Sequence, residues 1–210
     1  MAIIENSVDP DTLVFSKLTS TSDISSFSCS KYYDLEDFLK TAAHEYLDEK
    51  VAVTYLVYSN DRLVGFFSLA MGCVTTEMVT NTLSAKIYYP RKLPALLLAR
   101  MAVTDDLRGK GIGKEMLARV IAMAFSLCSR VGCRVIKVDA KNNPKTINFY
   151  KKHGGFIQAG TGDETVPMII DMNKIHCHDI EKKLTDFDDD FNKITDENSY
   201  LDHEEKKSPW

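Results

Sequence analysis

The sequence of 210 residues lacks any uninterrupted apolar run near the roughly 18 residues of a membrane span. Its best candidate, Pro94 to Val103, carries Arg100 in its middle. The opening MAIIENSVDP has no basic region and is too short and polar for a secretory leader. Ten glycines and six prolines, without a period, exclude a collagenous or low-complexity chain. Cysteine is sparse: Cys29, Cys73, Cys128, Cys133 and Cys177 are odd in number, with no CxxC pair. That argues against a disulfide scaffold and for reduced thiols in a cytoplasmic protein. A surplus of positive charge is also missing, since the net charge is −4. The charge is uneven, because residues 176–210 hold 11 acidic and 5 basic side chains, which leaves the remainder near +2. Such a body neither advertises nor excludes nucleic-acid binding.

What is present suits one globular core: 44% of residues are hydrophobic and 27% charged. A chain of this size buries roughly 70% of its unfolded surface. The expectation is one domain over residues 1–175 and an acidic extension over 176–210. Leu13 to Leu18 reads as a strand, and Tyr33 to Leu47 as an amphipathic helix. Val51 to Tyr58 and Leu63 to Gly72, joined at Asn60-Asp61, read as an antiparallel hairpin. Residues 73–93 read as a long connection with room for a short helix. Ala95 to Val103 is a nearly continuous apolar strand, as in the centre of a covered sheet. Lys114 to Val131 is the strongest helix, with Gly132 as its C-terminal cap. Cys133 to Ala140 is a strand, and Asn143-Pro144 opens a helix ending at Gly154-Gly155. Phe156 to Gln158 and Val166 to Met172 are the last strands. In the extension, Ile180, Leu184, Phe187, Phe191 and Ile194 mark an amphipathic helix near 179–195. The order implies a mixed α/β sheet with one right-handed crossover onto a parallel pair.

The chemistry concentrates at Arg108-Gly109-Lys110-Gly111-Ile112-Gly113, between a buried strand and the best helix. Glycines let successive amides turn toward one point, and the helix start adds unpaired N–H donors and a positive dipole end. Such a concavity holds a phosphate or pyrophosphate, with Arg108, Lys110 and Lys114 adding mobile positive charge. A plain glycine-rich turn is the alternative. The Walker pattern GxxxxGK[ST] is absent, and Gly111 and Gly113 lack the third glycine of a dinucleotide loop.

Arg108-x-x-Gly111-x-Gly113, after a strand ending Met101-Ala102-Val103, resembles the acyl-CoA signature of the GNAT acetyltransferases. Asn143-x-x-Thr146-Ile147-x-Phe149-Tyr150-x-x-x-Gly154 resembles the next helix of that family, with one extra glycine before Phe156. The match covers roughly residues 10–173. Within the family, the chain looks most like the toxin-type acetyltransferases of bacterial toxin–antitoxin modules. The features are Cys29 to Leu39, the long connection at 73–93 and the strand Leu98-Ala99-Arg100-Met101-Ala102-Val103.

The resemblance implies a mostly antiparallel sheet whose central parallel pair splays to admit acetyl-CoA. It implies that the pantetheine arm lies along the main chain of Met101, Ala102 and Val103. The pyrophosphate would rest on Arg108, Gly109, Lys110, Gly111, Ile112, Gly113 and Lys114, and Asn143 would touch the CoA arm. Tyr150 would protonate the leaving thiolate, although beside Phe149 it also reads as core. No metal is implied. His176-Cys177-His178 are three adjacent ligands on one chain, and Asp186 to Asp190 lacks the glycine and final glutamate of a calcium loop. Cys29 has no paired histidine and reads as packing. No acid lies on Ala95 to Val103; Glu77, Asp105 and Asp106 are nearby in sequence but read as solvated loop residues rather than as the base. An α-amine near pKa 7.7 needs little help, unlike lysine near 10.4. The amine of a charged tRNA suits that site, and Lys86, Arg91, Lys92, Lys110 and Lys114 either meet its phosphates or form a solvated rim that serves CoA alone. A small-molecule or protein amine is the alternative, as is a non-catalytic CoA-binding or protein-interaction module. An antitoxin is the protein partner that the resemblance implies; a homodimer follows if the helix near 179–195 is swapped between two copies, and no membrane is expected.

Overall fold

In the computed structural model, residues 12–83 and 91–175 are described, together with Asp9. The expected helix near 179–195 and the motifs at 176–178 and 186–190 lie outside them, as does Lys86. The elements run β1 (Val14–Lys17), α1 (Tyr33–Thr41), α2 (Ala43–Asp48), β2 (Val53–Ser59), β3 (Arg62–Thr75) and α3 (Thr76–Leu83). They continue as β4 (Lys92–Val103), α4 (Ile112–Cys128), β5 (Val135–Lys141), α5 (Pro144–Gly154), β6 (Ile157–Gln158) and β7 (Thr165–Asp171). One seven-stranded sheet results, in the order β1-β2-β3-β4-β5-β7-β6. Every neighbouring pair is antiparallel except β4–β5, which α4 connects. This is the mixed α/β architecture that the sequence implied. No helix among the described residues is long and apolar enough to cross a membrane.

Alternation along the strands sorts side chains onto two faces. Phe67, Leu96, Leu98, Ile136 and Ile170 pack under Met116, Leu117 and Val120 of α4 and Tyr150 of α5. On the other face, Phe66 and Ala102 meet Phe38 and Leu39 of α1. Further along, Val74, Leu93, Ala95 and Val135 meet Val79 and Leu83 of α3. The sheet is thus covered on both sides, as the apolar run of β4 implied.

Four expectations need correction. The helix read over Tyr33 to Leu47 kinks at Ala42, which sets the Tyr46 ring edge-on to Phe38 at 5.4 Å. β3 runs on to Thr75, whose hydroxyl caps α3 by accepting from the Met78 amide at 3.1 Å. Part of the expected connection is therefore regular structure: its Thr, Asn and Ser content hid a cap and the buried pair Val79 and Leu83. α4 starts two residues earlier than expected and stops at Cys128. Gly132 is not its cap: the end unwinds through Arg130 and Val131, which both donate to the Leu127 carbonyl. By contrast, Asn143 caps α5 as expected, accepting from Thr146 N at 2.9 Å. Gly155 closes that helix at φ +69°.

Candidate active site

The site lies where the sheet comes apart. β4 and β5 pair only over Ala95–Leu97 and Val135–Lys137. The β3–β4 register shifts at Ser68/Leu69, leaving Ala99 as an extra residue in β4. Such a bulge bends its strand and increases its twist. From Leu98 to Val103, β4 keeps β3 on one side and has no strand partner on the other. A cavity of ≈ 990 Å³ occupies the gap. Met101, Ala102, Val103, Arg108, Gly109, Gly111, Gly113, Lys114 and Tyr150 line it, so the structure brings together residues from both sequence motifs.

After β4 a short turn at Asp105–Leu107 leads into the glycine loop. Gly109 (φ +78°) and Gly111 (φ +92°) adopt left-handed backbone, which costs a side-chain-bearing residue roughly 1–2 kcal/mol. At Gly113 the chain runs close to the Phe149 ring, which a Cβ there would touch at 3.4 Å. Lys110 N and Lys114 N already donate to the carbonyls of Leu107 and Gly111. The amides of Gly111, Ile112 and Gly113 open the first turn of α4 and have no main-chain acceptor among the described residues. These three donors, with the helix dipole behind them, suit a diphosphate. Ile112 offers its main chain alone, because its side chain is fully buried in the core. The Lys114 ammonium is well exposed beside this turn. Lys110 does not line the cavity.

Arg108 departs from the expected mobile charge, for its guanidinium is tied down. Nη2 donates to Cys29 Sγ at 2.9 Å and lies 2.8 Å from Asp105 Oδ1. Nε donates to the Val103 carbonyl at 3.4 Å, and the guanidinium sits over the Tyr32 ring at 4.7 Å. Burial pushes the Cys29 thiol up, against the pull of Arg108, so packing rather than nucleophilic attack describes that cysteine.

Tyr150 is 7% exposed and lies on α5 opposite the open edge of β4. Phe149 and Phe156 hold its ring edge-on, at 5.3 and 5.5 Å. Its hydroxyl opens onto the cavity. Burial pushes the phenol well above its ordinary range, which keeps it protonated and able to give a proton to a stronger base. Its burial agrees with the reading of a core residue, and the role of proton donor is chemically open to it. Asn143 caps α5 but does not line the cavity; Lys145 and Thr146 do.

Among the described residues, the acids nearest the site are already engaged or stand away from it. Asp105 accepts from Ser30 N and Oγ, and that hydroxyl, more than Arg108, holds its carboxyl below the usual range. Asp106 pairs with Arg62. Glu77 stands on α3, away from the cavity. The two acids that line the cavity, Asp34 and Asp139, pair with Lys141 and Lys137. Sequence reading missed the surrounding cations Lys31, Lys137, Lys141 and Lys145. They come from the turn before α1, from β5 and from α5, and only the fold collects them. Arg91 and Lys92 sit at the far end of β4, roughly 35 Å along the strand from the loop.

Residues 18–156 match the Acetyltransferase (GNAT) family. The chain belongs to this family. It is an acyl-CoA N-acyltransferase with acetyl-CoA as its acyl donor. A "tRNA-acetylating toxin" of Mycobacterium tuberculosis (strain ATCC 25618 / H37Rv) is 27% identical to this acetyltransferase over 124 residues. That alignment spans 59% of this chain and 73% of the relative. Among solved structures, AtaT complexed with acetyl-methionyl-tRNAfMet superimposes with a TM-score of 0.65 at 23% identity, covering 77% of this chain and 95% of that one. A tyrosine-to-phenylalanine mutant of the AtaT toxin, bound to the C-terminus of the antitoxin AtaR and acetyl-CoA, gives 0.61 at 23% identity. It covers 78% of this chain and 95% of that one. The gap between β4 and β5, the free amides of Gly111 to Gly113 and the neighbouring cations fit an extended thioester with a diphosphate at one end.

Proposed function

We propose that this acetyltransferase acetylates the α-amine of an aminoacyl-tRNA. The observation that carries the reading is the character of the cavity wall. Lysines line it, and both of its carboxylates are already paired with lysine. Such a wall attracts a polyanion and, among the described residues, offers no unpaired carboxylate as a base, leaving the His153 imidazole, so it suits an amine that is substantially neutral when it arrives. The named activity of the mycobacterial relative and the tRNA seen with AtaT support the same choice.

In this reading Met101, Ala102 and Val103 present the open edge of β4 to the pantetheine arm, as a strand would be added. Gly109, Gly111, Ile112, Gly113 and Lys114 hold the pyrophosphate. Arg108 braces that loop, Lys110 adds charge at its rim and Asn143 orders the start of α5. The acceptor nitrogen attacks the thioester carbonyl directly in a ternary complex. The C–N bond forms, the C–S bond breaks and the amine releases a proton to water. Tyr150 gives its proton to the departing thiolate and recovers one from solvent. We place residues 1–175 as the catalytic domain, 176–210 as an appended acidic segment, and the protein in the cytoplasm. An antitoxin is the proposed protein partner, in line with the AtaT–AtaR structure, and a homodimer the proposed assembly.

The test is acetyl transfer from radiolabelled acetyl-CoA to charged tRNAs, uncharged tRNA, free amino acids, a polyamine and a lysine peptide. Label is expected only on charged tRNA, with loss in a Gly111→Glu variant. Comparable labelling of a small amine or peptide would overturn the acceptor assignment.

A further inference from the structure

Tyr32 lies within the Cys29–Leu39 stretch, outside the glycine-loop and α5 motifs, yet its ring meets a residue beyond β4 and one at the end of β5. Arg108 follows the end of β4, and Lys141 is the last residue of β5. The Arg108 guanidinium and the Lys141 ammonium each lie 4.7 Å from the centroid of the Tyr32 ring. The surrounding chain makes the same span. Ser30 donates to Asp105 through its amide at 2.7 Å and its hydroxyl at 2.6 Å. At the other end Lys141 donates to Asp34 at 3.0 Å. Residues 29–34 are therefore a strap across the mouth of the cleft, fixed to the loop after β4 and to the tip of β5.

We propose that Tyr32 is a positioning residue for the acyl donor: its ring holds Arg108 and Lys141 together and so fixes the phosphate loop relative to β5. The chemistry favours an aromatic ring for this task. The face of a phenol ring attracts a cation through its quadrupole. It does so without adding another negative charge beside a diphosphate site, as a third carboxylate would. Arg108 precedes Gly109 directly, so movement of its side chain shifts the loop whose amides receive the phosphates.

The inference rests on the donor-binding reading of the glycine loop, and the experiment separates the two. Coenzyme A binding is measured calorimetrically for the full chain and five variants, with melting temperatures alongside. Wild type is expected to bind and Gly111→Glu to fail; any other result for this pair removes the loop reading and this inference with it. Tyr32→Phe, which keeps the ring, is expected to bind within about twofold of wild type. Tyr32→Leu, which keeps apolar bulk without a π face, is expected to weaken binding about tenfold. Leucine binding as tightly as phenylalanine would reduce Tyr32 to packing and overturn the proposal. Lys141→Gln is expected to weaken binding about threefold, and it carries the test if Tyr32→Leu does not fold. The double variant is expected to bind no more weakly than Tyr32→Leu alone. Additive losses would assign Lys141 directly to the ligand and overturn the positioning role.

Discussion

Replacing Tyr150 by phenylalanine removes one oxygen atom and very little else. The ring keeps its edge-on contacts with Phe149 and Phe156. The hydroxyl opens onto the cavity, so its loss strands no buried partner. The melting temperature and the coenzyme A dissociation constant are therefore expected to stay close to wild type. The chemical step is not spared. A positioned proton donor contributes roughly 10²–10⁴-fold, so single-turnover acetyl transfer should slow by on the order of 10²–10³, about 3–4 kcal/mol of barrier. The assay is a rapid quench with labelled acetyl-CoA and a saturating acceptor. A rate within about threefold of wild type would refute the assignment of Tyr150 as proton donor. The pH profile adds a second check. Burial raises the phenol above its unfolded value near 10, so Tyr150 stays protonated throughout the working range. The rate should rise through the amine's pKa near 7.7 and show no fall attributable to Tyr150 below about pH 10. The sign for stability follows: the contribution of this group is intact below about pH 10 and is lost as pH rises through the raised folded-state value.

Gly154→Ala places a Cβ 2.6 Å from Phe156 Cδ2 and 2.9 Å from Leu117 Cδ2, both in the core beneath α5. Overpacking of this kind costs roughly 1–3 kcal/mol, measurable as a lower urea midpoint, and donor affinity should fall as α5 shifts. Cysteine reactivity should follow burial: Cys73 is exposed, whereas burial pushes the Cys128 thiol up to about 12. Iodoacetamide at pH 8 should therefore alkylate Cys73 well before Cys128, as read by peptide mass mapping. Equal rates would contradict the packing at the end of α4.

The parts of the fold legible in the sequence are those set by neighbours along the chain. Asn143 and Pro144 announce the start of α5 because a cap acts over three residues. The glycines at 109 and 111 announce a turn because their backbone excludes other residues. α3 showed only as room for a short helix, without bounds, because one hydroxyl at Thr75, inside a polar run, decides its start. The same division holds in the site. Both motifs were visible, whereas the restraint of Arg108 was not, since Cys29 and Tyr32 lie more than 70 positions away. The pairing of Lys141 with Asp34 spans 107 positions, a distance over which spacing carries no signal. The cationic wall escaped notice for that reason too: each lysine reads as ordinary surface until the fold assembles the set.

The short pairing of β4 with β5 has a mechanical consequence. Three residue pairs form the waist between a four-stranded half and a three-stranded half of one sheet. A donor lying in the gap would splint the two halves, and a ligand that favours the folded chain stabilises it in proportion to the logarithm of its concentration. Donor binding is thus expected to raise the stability of the chain, most of all at the waist.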